Sequence, residues 1–342
     1  MMKKIILFLL FSVFLSAQKI GVIELKQSIK DKKAFSKSLT LIDNRENKEI
    51  GKVTEKEGFG EVKFANEDLK TFIPNWYSED NKGTGNNDIV LMLEELKIYD
   101  EQTPNEKIMF GKAKIKISSF LKRNDKYYLI NRFDNVIVCD PRKTSSIVKY
   151  LSQNISDVIT EFIRASYTNL VLSQYIPENE INNYYSYLIK NNKSLAPELK
   201  DGVYLDFKTF SNQEPAFGYF IEKNKKGRFV RMKNKEEIVS LSNAFIYVEA
   251  GKAYRFTPVG FLEMKKNEKG FYIIASRAEL FAETKTGGVM IGAMAGGIVG
   301  AAIGAAIDSG SNKGAMNGFG FKSATMTNVY IDSLTGSFNF EQ

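Results

Sequence analysis

Apolar positions along this chain change period several times, and each change marks an element. "IGVIEL", from Ile20, reads as a short strand, and "LTLIDNRENKEIGKV" as two strands joined by the polar turn Asn44 to Lys48. In "NEDLKTFIPNWY", Leu69, Phe72 and Trp76 recur at helical spacing behind an Asn66 cap, and residues 78 to 88 have loop composition. "DIVLMLEELKIYD" is strand-like. "GKAKIKI" alternates Lys112, Lys114 and Lys116 with Ala113, Ile115 and Ile117, which predicts one wet and one buried sheet face. "KYYLINRFDNVIVC" supplies a third strand across the turn "KRND". From Ile147 through Leu151, Ile155, Val158, Ile159 and Phe162 to Leu170, an i, i+3, i+4 rhythm predicts one long amphipathic helix that covers the sheet.

"PENEINNYYSYLIK" predicts a second helix starting at Pro177. Beyond residues 191 to 200 the texture shifts to short strands: "GVYLDFKTF", "FGYFIEK", "GRFVRMK", "AFIYVEAGKAYRFTPV" with a reversal at Gly251, "GFYIIASRAELF", and finally "NVYIDSLTGSFNF". The expected fold class is therefore α+β. An antiparallel sheet under a long helix fills residues 18 to 190, and a mostly-β domain fills residues 198 to 342.

One segment obeys neither period. "GGVMIGAMAGGIVGAAIGAAI", residues 287 to 307, carries no charge, hydroxyl or amide. Gly288, Gly292, Gly296, Gly300 and Gly304 recur every four residues, so on a helix they form one stripe without side chains. Another backbone can approach such a stripe closely, which is the physical content of a glycine zipper. Each glycine costs about 1 kcal/mol relative to Ala in a water-exposed helix, so the segment needs a partner or a bilayer. As a helix it would reach about 31 Å, close to the hydrocarbon thickness of a membrane. If "NVYIDSLTGSFNF" completes the β domain, both ends of the tract must lie on one side. A re-entrant hairpin bent near Gly296-Gly297, or a zipper buried in an oligomer, satisfies that condition. Intramolecular packing or a flexible Gly-rich loop is the alternative.

The N-terminus adds a location. Lys3 and Lys4, the apolar run Ile5 to Leu15 and the small exit Ser16-Ala17 form a secretory signal peptide over residues 1 to 17; the apolar run is too short for a span of about 20 residues. No Cys follows Ala17, so lipid attachment there is closed.

Composition then prunes chemistry. The chain has no histidine, which removes the commonest general base, His-containing nucleophile triads and His-containing zinc sites. Cys139 is the only cysteine and ends the apolar run "VIVC", so no internal disulfide forms and a buried strand thiol is expected. We expect no cofactor and no metal. Ser146 and Lys149 form an SxxK pattern and "KTG" begins at Lys285, as in penicillin-binding enzymes, but that KTG leads into the apolar tract instead of lying on a central strand. The acidic pairs at 94–95 and 236–237 read as solvated strand charges, because neighbours in a strand point to opposite faces.

The formal charge is +8, and two of the cations, Lys3 and Lys4, leave with the signal peptide. Lys223, Lys225, Lys226, Arg228, Arg231 and Lys233 cluster around a turn near Gly227. They suit an anionic surface ligand, or they serve solubility. Export argues against nucleic acid as a partner.

The strand-strand-strand-helix order of residues 88 to 174 resembles the periplasmic accessory lipoproteins of bacterial transporters. "LKDGVYLDFKTFSNQEPAF", with "AFIYVEAGKAYRF" and "GFYII", is similar to a β domain of exported Bacteroidetes envelope proteins, and a signal peptide ending in "LSAQ" fits that group. The resemblance implies an envelope location and no activity. The expected role is non-enzymatic, structural or binding, through self-association or a lipid bilayer. The alternatives are a soluble ligand-binding protein and, more remotely, a serine hydrolase using Ser146 and Lys149.

Overall fold

The computed structural model describes residues 19–83, 85–102, 107–167, 174–280 and 324–340. The expected signal peptide of residues 1–17, the expected glycine zipper of residues 287–307 and the KTG at Lys285 lie outside the described residues. Strand outweighs helix in a mixed α+β fold.

The chain begins with β1 (Lys19–Ile23), β2 (Ser36–Asp43), β3 (Lys52–Thr54), β4 (Phe59–Phe64) and helix α1 (Leu69–Asp80). β5 (Asn87–Gln102), β6 (Met109–Arg123) and β7 (Lys126–Cys139) are three long strands, followed by helix α2 (Ile147–Ser166) and β8 (Tyr175–Pro177). These build a five-stranded sheet in the order β2-β5-β6-β7-β8, antiparallel except for the β2–β5 pair, and a small β1-β4-β3 sheet. The two strands expected to flank Asn44–Lys48 exist but do not pair with each other: β2 joins β5, whereas β3 joins β4. Asp68, not Asn66, caps α1, accepting from the Thr71 amide.

α2 forms where the periodicity predicts and lays Ile147, Leu151, Ile155, Val158 and Phe162 into the main core, against Ile115, Ile117, Ile130, Phe133 and Ile137 of the sheet. Its first turn also presses on the small sheet. A Cβ on Gly21 would stand 2.5 Å from the Val148 carbonyl oxygen, and one on Gly60 would stand 2.5 Å from Val148 Cγ1, so close approach requires glycine there.

The other face of the sheet is not wet. The segment expected as a helix from Pro177 forms a 3-10 turn, Glu178–Asn183, and then helix α3 (Tyr184–Ile189). Ile181, Tyr184 and Leu188 pack on Val90, Met92, Phe120 and Leu129. Lys112 and Lys114, expected in solvent, are both only 4% exposed. An alternating strand reports which residues share a face, but not what covers it.

The second half contains β9 (Gly202–Tyr204), helix α4 (Phe207–Asn212), β10 (Tyr219–Lys223), β11 (Phe229–Asn234), β12 (Glu237–Val239), β13 (Ile246–Glu249), β14 (Lys252–Thr257), β15 (Gly260–Glu263), β16 (Lys265–Asn267), β17 (Gly270–Ala275), helix α5 (Arg277–Leu280), β18 (Thr327–Ile331) and β19 (Phe338–Asn339). They form antiparallel sheets β10-β11-β12, β15-β14-β13-β9 and β16-β17-β18-β19. "DFKTF", read as strand, is helical because Asp206 caps α4 through the Thr209 amide. The reversal at Gly251 is as expected, with positive φ at Ala250 and Gly251. One apolar cluster runs from Ile23 through Phe162 and Phe210 to Phe340, so residues from both halves share a core.

Candidate functional site

The apolar tract is inserted into a hairpin. β17 and β18 pair antiparallel, with Ile273 opposite Val329 and Ala275 opposite Thr327. The chain therefore departs after Leu280 and returns before Met326 beside the same pair of strands. Phe271, Ile273, Ala275, Val329 and Ile331 point inward and are buried, which holds both strands on the core.

This hairpin is fastened to β7 at three points. Among the described residues β8 pairs only with Lys126–Tyr128 of β7, which leaves the C-terminal half of that strand to other partners. Asn135 clamps β19: its Nδ2 donates to the Phe338 carbonyl (2.8 Å), and its Oδ1 accepts from the Phe340 amide (3.1 Å). Arg277, on the helix that leads into the tract, donates through Nη2 to the Val136 carbonyl (2.9 Å) and stacks on Phe340 at 4.4 Å. Asp332, immediately after β18, is ion-paired with Arg132.

Asp332 is positioned by its own turn. Its Oδ1 accepts from the amides of Leu334 (3.0 Å) and Thr335 (2.9 Å), and the Gly336 amide donates to the Asp332 carbonyl (2.8 Å). Gly336 has φ +73°, and a Cβ there would strike the Phe207 ring at 2.5 Å, so only glycine closes the turn.

Arg132 centres a buried polar network. Its Nη2 meets Asp134 Oδ2 at 2.5 Å, its Nε donates to the Tyr184 hydroxyl at 3.1 Å, and its guanidinium lies 4.7 Å from the Tyr185 ring centre. Lys114 pairs with Asp134, and Tyr184 and Ser118 both donate to Glu94 Oε1 at 2.9 and 2.8 Å. Burial opposes the charge on Arg132, but Asp332 and Asp134, together with Tyr184, hold its pKa well above the ordinary value. Burial likewise pushes Asp134 up, and Arg132 and Lys114 outweigh it and hold the carboxyl below its usual range. Glu94 thus belongs to an interior network, while Glu95 follows the solvated reading and pairs with Lys97 at 2.8 Å. A cavity of about 10 Å³ beside Arg132, Asp134 and Asp332 has room for one water.

The six cations expected to bind anions divide in two. Lys223 pairs with Glu249 and lies 4.8 Å from the Phe229 ring centre, while Lys233 (2.7 Å) and Arg231 (3.7 Å) both pair with Glu222. Lys225, Lys226 and Arg228 stand exposed on the β10–β11 turn, where Asn224 Oδ1 accepts from the Lys226 and Arg228 amides and Gly227 has φ +73°.

Ser146 is the N-cap of α2. Its hydroxyl donates to Glu55 Oε1 (2.9 Å) and accepts from the Lys149 amide (3.4 Å), while Lys149 itself is exposed. Cys139 is 1% exposed, and burial pushes its thiol up to about 12, as a strand thiol in the core requires. A cleft of about 220 Å³ opens between β2 and α1; its carboxylates Asp31 and Asp80 accept from the amides of Ser36 and Ile29, both at 2.7 Å, and so hold local backbone.

The fastening residues escaped sequence reading. Arg132 and Asp134 were visible as two charges, two positions apart, within the apolar strand "YYLINRFDNVIVC", a signal of a covered polar face. Asp332 and Arg277 carried no comparable signal.

Neither a protein-family model, nor a curated protein, nor a solved structure matches this chain.

Proposed function

We propose that this protein is an exported, non-enzymatic component of the bacterial envelope, whose folded body mounts the glycine-rich tract 287–307 for association with a membrane or with copies of itself. The observation that carries the reading is the entry and exit of that tract through paired strands β17 and β18, fastened to β7 by Arg277, Asn135 and Asp332. A segment whose two ends are held together on one side crosses a bilayer an even number of times or not at all. A hairpin bent near Gly296-Gly297 gives two arms of roughly 15 Å, enough for one leaflet, with Gly288, Gly292, Gly300 and Gly304 free to bring the arms or neighbouring copies together. The signal peptide of residues 1–17 and the resemblance to exported Bacteroidetes envelope proteins support the location.

The test replaces residues 281–323 by a short Gly-Ser linker, which the Ala275–Thr327 pairing makes easy to close. The full mature chain should resist carbonate extraction or sediment as an oligomer, and the shortened protein should be a folded, soluble monomer. A full-length protein that is itself soluble and monomeric would overturn the proposal.

A second reading, a soluble binder of anionic ligands, draws on the exposed tip Lys225, Lys226 and Arg228, which carries no ion pair among the described residues. It predicts salt-sensitive binding of an acidic polysaccharide that survives deletion of residues 281–323.

A further inference from the structure

The sheet that carries the tract has one face whose side chains are half-buried to exposed among the described residues. On β16–β19 the inward residues are the buried ones named above. Pointing outward, Lys265, Tyr272, Tyr330 and Asn339 form one row across all four strands, with Ile274 and Asn328 in the next paired row. The two tyrosine rings stand 5.7 Å apart. Tyr330 takes a hydrogen bond on its hydroxyl from Asn267 (3.1 Å), and Lys269 lies 5.7 Å from its ring centre. Toward the end where the tract leaves and returns, the face turns apolar: Ile274 is 42% exposed and Met326 is 51% exposed.

This gradient has a direction. Lys269 and the Tyr330 hydroxyl, bonded by Asn267, lie away from the tract, the row of Lys265, Tyr272, Tyr330 and Asn339 comes next, and two exposed aliphatic side chains lie nearest to it. Rings with a polar tip and lysines with apolar stems favour the boundary between water and hydrocarbon. Six residues, 281–286, separate the end of α5 at Leu280 from the tract, so a tract seated in a bilayer keeps this end of the sheet within about 20 Å of the bilayer surface, near enough for its outer face to touch it.

We propose that this face, formed by Tyr272, Tyr330, Ile274, Met326 and Lys269, is a lipid-interface contact that seats the body on an anionic phospholipid bilayer beside the tract. The inference rests on the membrane form of the function proposed above. Tyrosines and aliphatics enter the headgroup boundary, and Lys265 and Lys269 meet lipid phosphates.

The test uses the mature full-length chain with Trp76, the only tryptophan, changed to Phe, and a new reporter introduced as Tyr330→Trp or, separately, Ile274→Trp. Phe59→Trp, at the start of β4 where the side chain is 62% exposed, serves as the control. Vesicles contain phosphatidylcholine and phosphatidylglycerol, with or without bromine on the acyl chains. Both reporters should be water-exposed in the free protein, then shift to the blue and be quenched by brominated lipid, while the control does not change. Ile274→Asp with Met326→Asp should weaken vesicle binding about tenfold or more. Co-sedimentation with vesicles while both reporters remain water-exposed would overturn this inference and leave the proposed function standing. Failure to co-sediment at all would remove the membrane reading and this inference together. Reporters already blue-shifted without vesicles would show the face covered by the chain's own tract or by a second copy, which also overturns it.

Discussion

Asp332→Ala should be among the most destabilising substitutions available in this protein. The Arg132 and Asp332 side chains are only 4% and 5% exposed, and among the described residues the carboxylate is the ion-pair partner of Arg132 that comes from the tract-bearing hairpin. Breaking a buried ion pair by removing one member costs about 3 to 5 kcal/mol, because the remaining charge stays desolvated. Arg132 keeps Asp134 and Tyr184, which places the loss of the pair near the lower figure. Asp332 also accepts from the Leu334 and Thr335 amides, and hydrogen bonds to a charged group add about 1.5 to 3 kcal/mol each before relaxation. Relaxation of the turn recovers part of that sum, and we expect about 5 kcal/mol or more for Asp332→Ala, a large share of the 5 to 15 kcal/mol typical of a folded domain. Asp332→Asn keeps the turn acceptor and should cost less. The assay is urea unfolding at neutral pH, with hydrogen exchange of the β18 and β19 amides to locate the loss. In a double-mutant cycle, Arg132→Met together with Asp332→Leu should cost clearly less than the sum of the single changes. A change within about 0.5 kcal/mol for Asp332→Ala, or strict additivity in the cycle, refutes the assignment of this pair as the fastening of the hairpin.

Four further outcomes follow from other parts of the molecule. Burial pushes the Asp43 carboxyl up, but bonds from Arg45 and Lys48 outweigh it and hold it at about 2 instead of 3.8. A depressed carboxyl stabilises the fold above its unfolded pKa and loses that contribution as pH falls toward its folded value, so stability should drop between about pH 4 and pH 2 and fall less steeply in Asp43→Asn, read by acid titration of urea midpoints. Gly21→Ala places a methyl 2.5 Å from the Val148 carbonyl oxygen and should cost about 1 to 3 kcal/mol in the same unfolding assay, whereas Gly58→Ala, with nothing within 4 Å, is strained only by its φ of +82°. Ser146→Ala removes the cap of α2 for about 1 kcal/mol of stability, and the wild-type protein should resist acylating probes; labelling at Ser146 would revive the hydrolase alternative. Replacing Lys225, Lys226 and Arg228 together by Ala should change stability by less than about 0.5 kcal/mol yet reduce binding to phosphatidylglycerol vesicles at low salt, because none of the three carries an ion pair among the described residues.

Much of the architecture could be read along the chain because its determinants are local. α2 was legible from the spacing of Ile147, Leu151, Ile155, Val158 and Phe162, and the β13–β14 reversal from Gly251. Capping was legible only in part: Asn66 and Asp68 offer the same chemistry two residues apart, and Asp206 turns "DFKTF" into a helix although Val203, Leu205 and Phe207 alternate like a strand up to it. The candidate site was less legible still. The basic cluster was visible as composition, yet which cations remain free depended on Glu222 and Glu249, and Glu249 arrives from another sheet.

Alone, the sequence determined the α+β class, the period of each long element, the absence of histidine chemistry and the ordered glycines of the tract, all properties of residue type and spacing within a few turns. Tertiary structure decided what lies on the second face of the β5-β6-β7 sheet, where Lys112 and Lys114 are buried, and which strand receives the tract-bearing hairpin. Arg132 and Asp332 are separated by 200 positions. No periodicity connects residues that far apart; only the docking of one folded surface on another brings their charges together, and burial then makes that meeting energetically decisive.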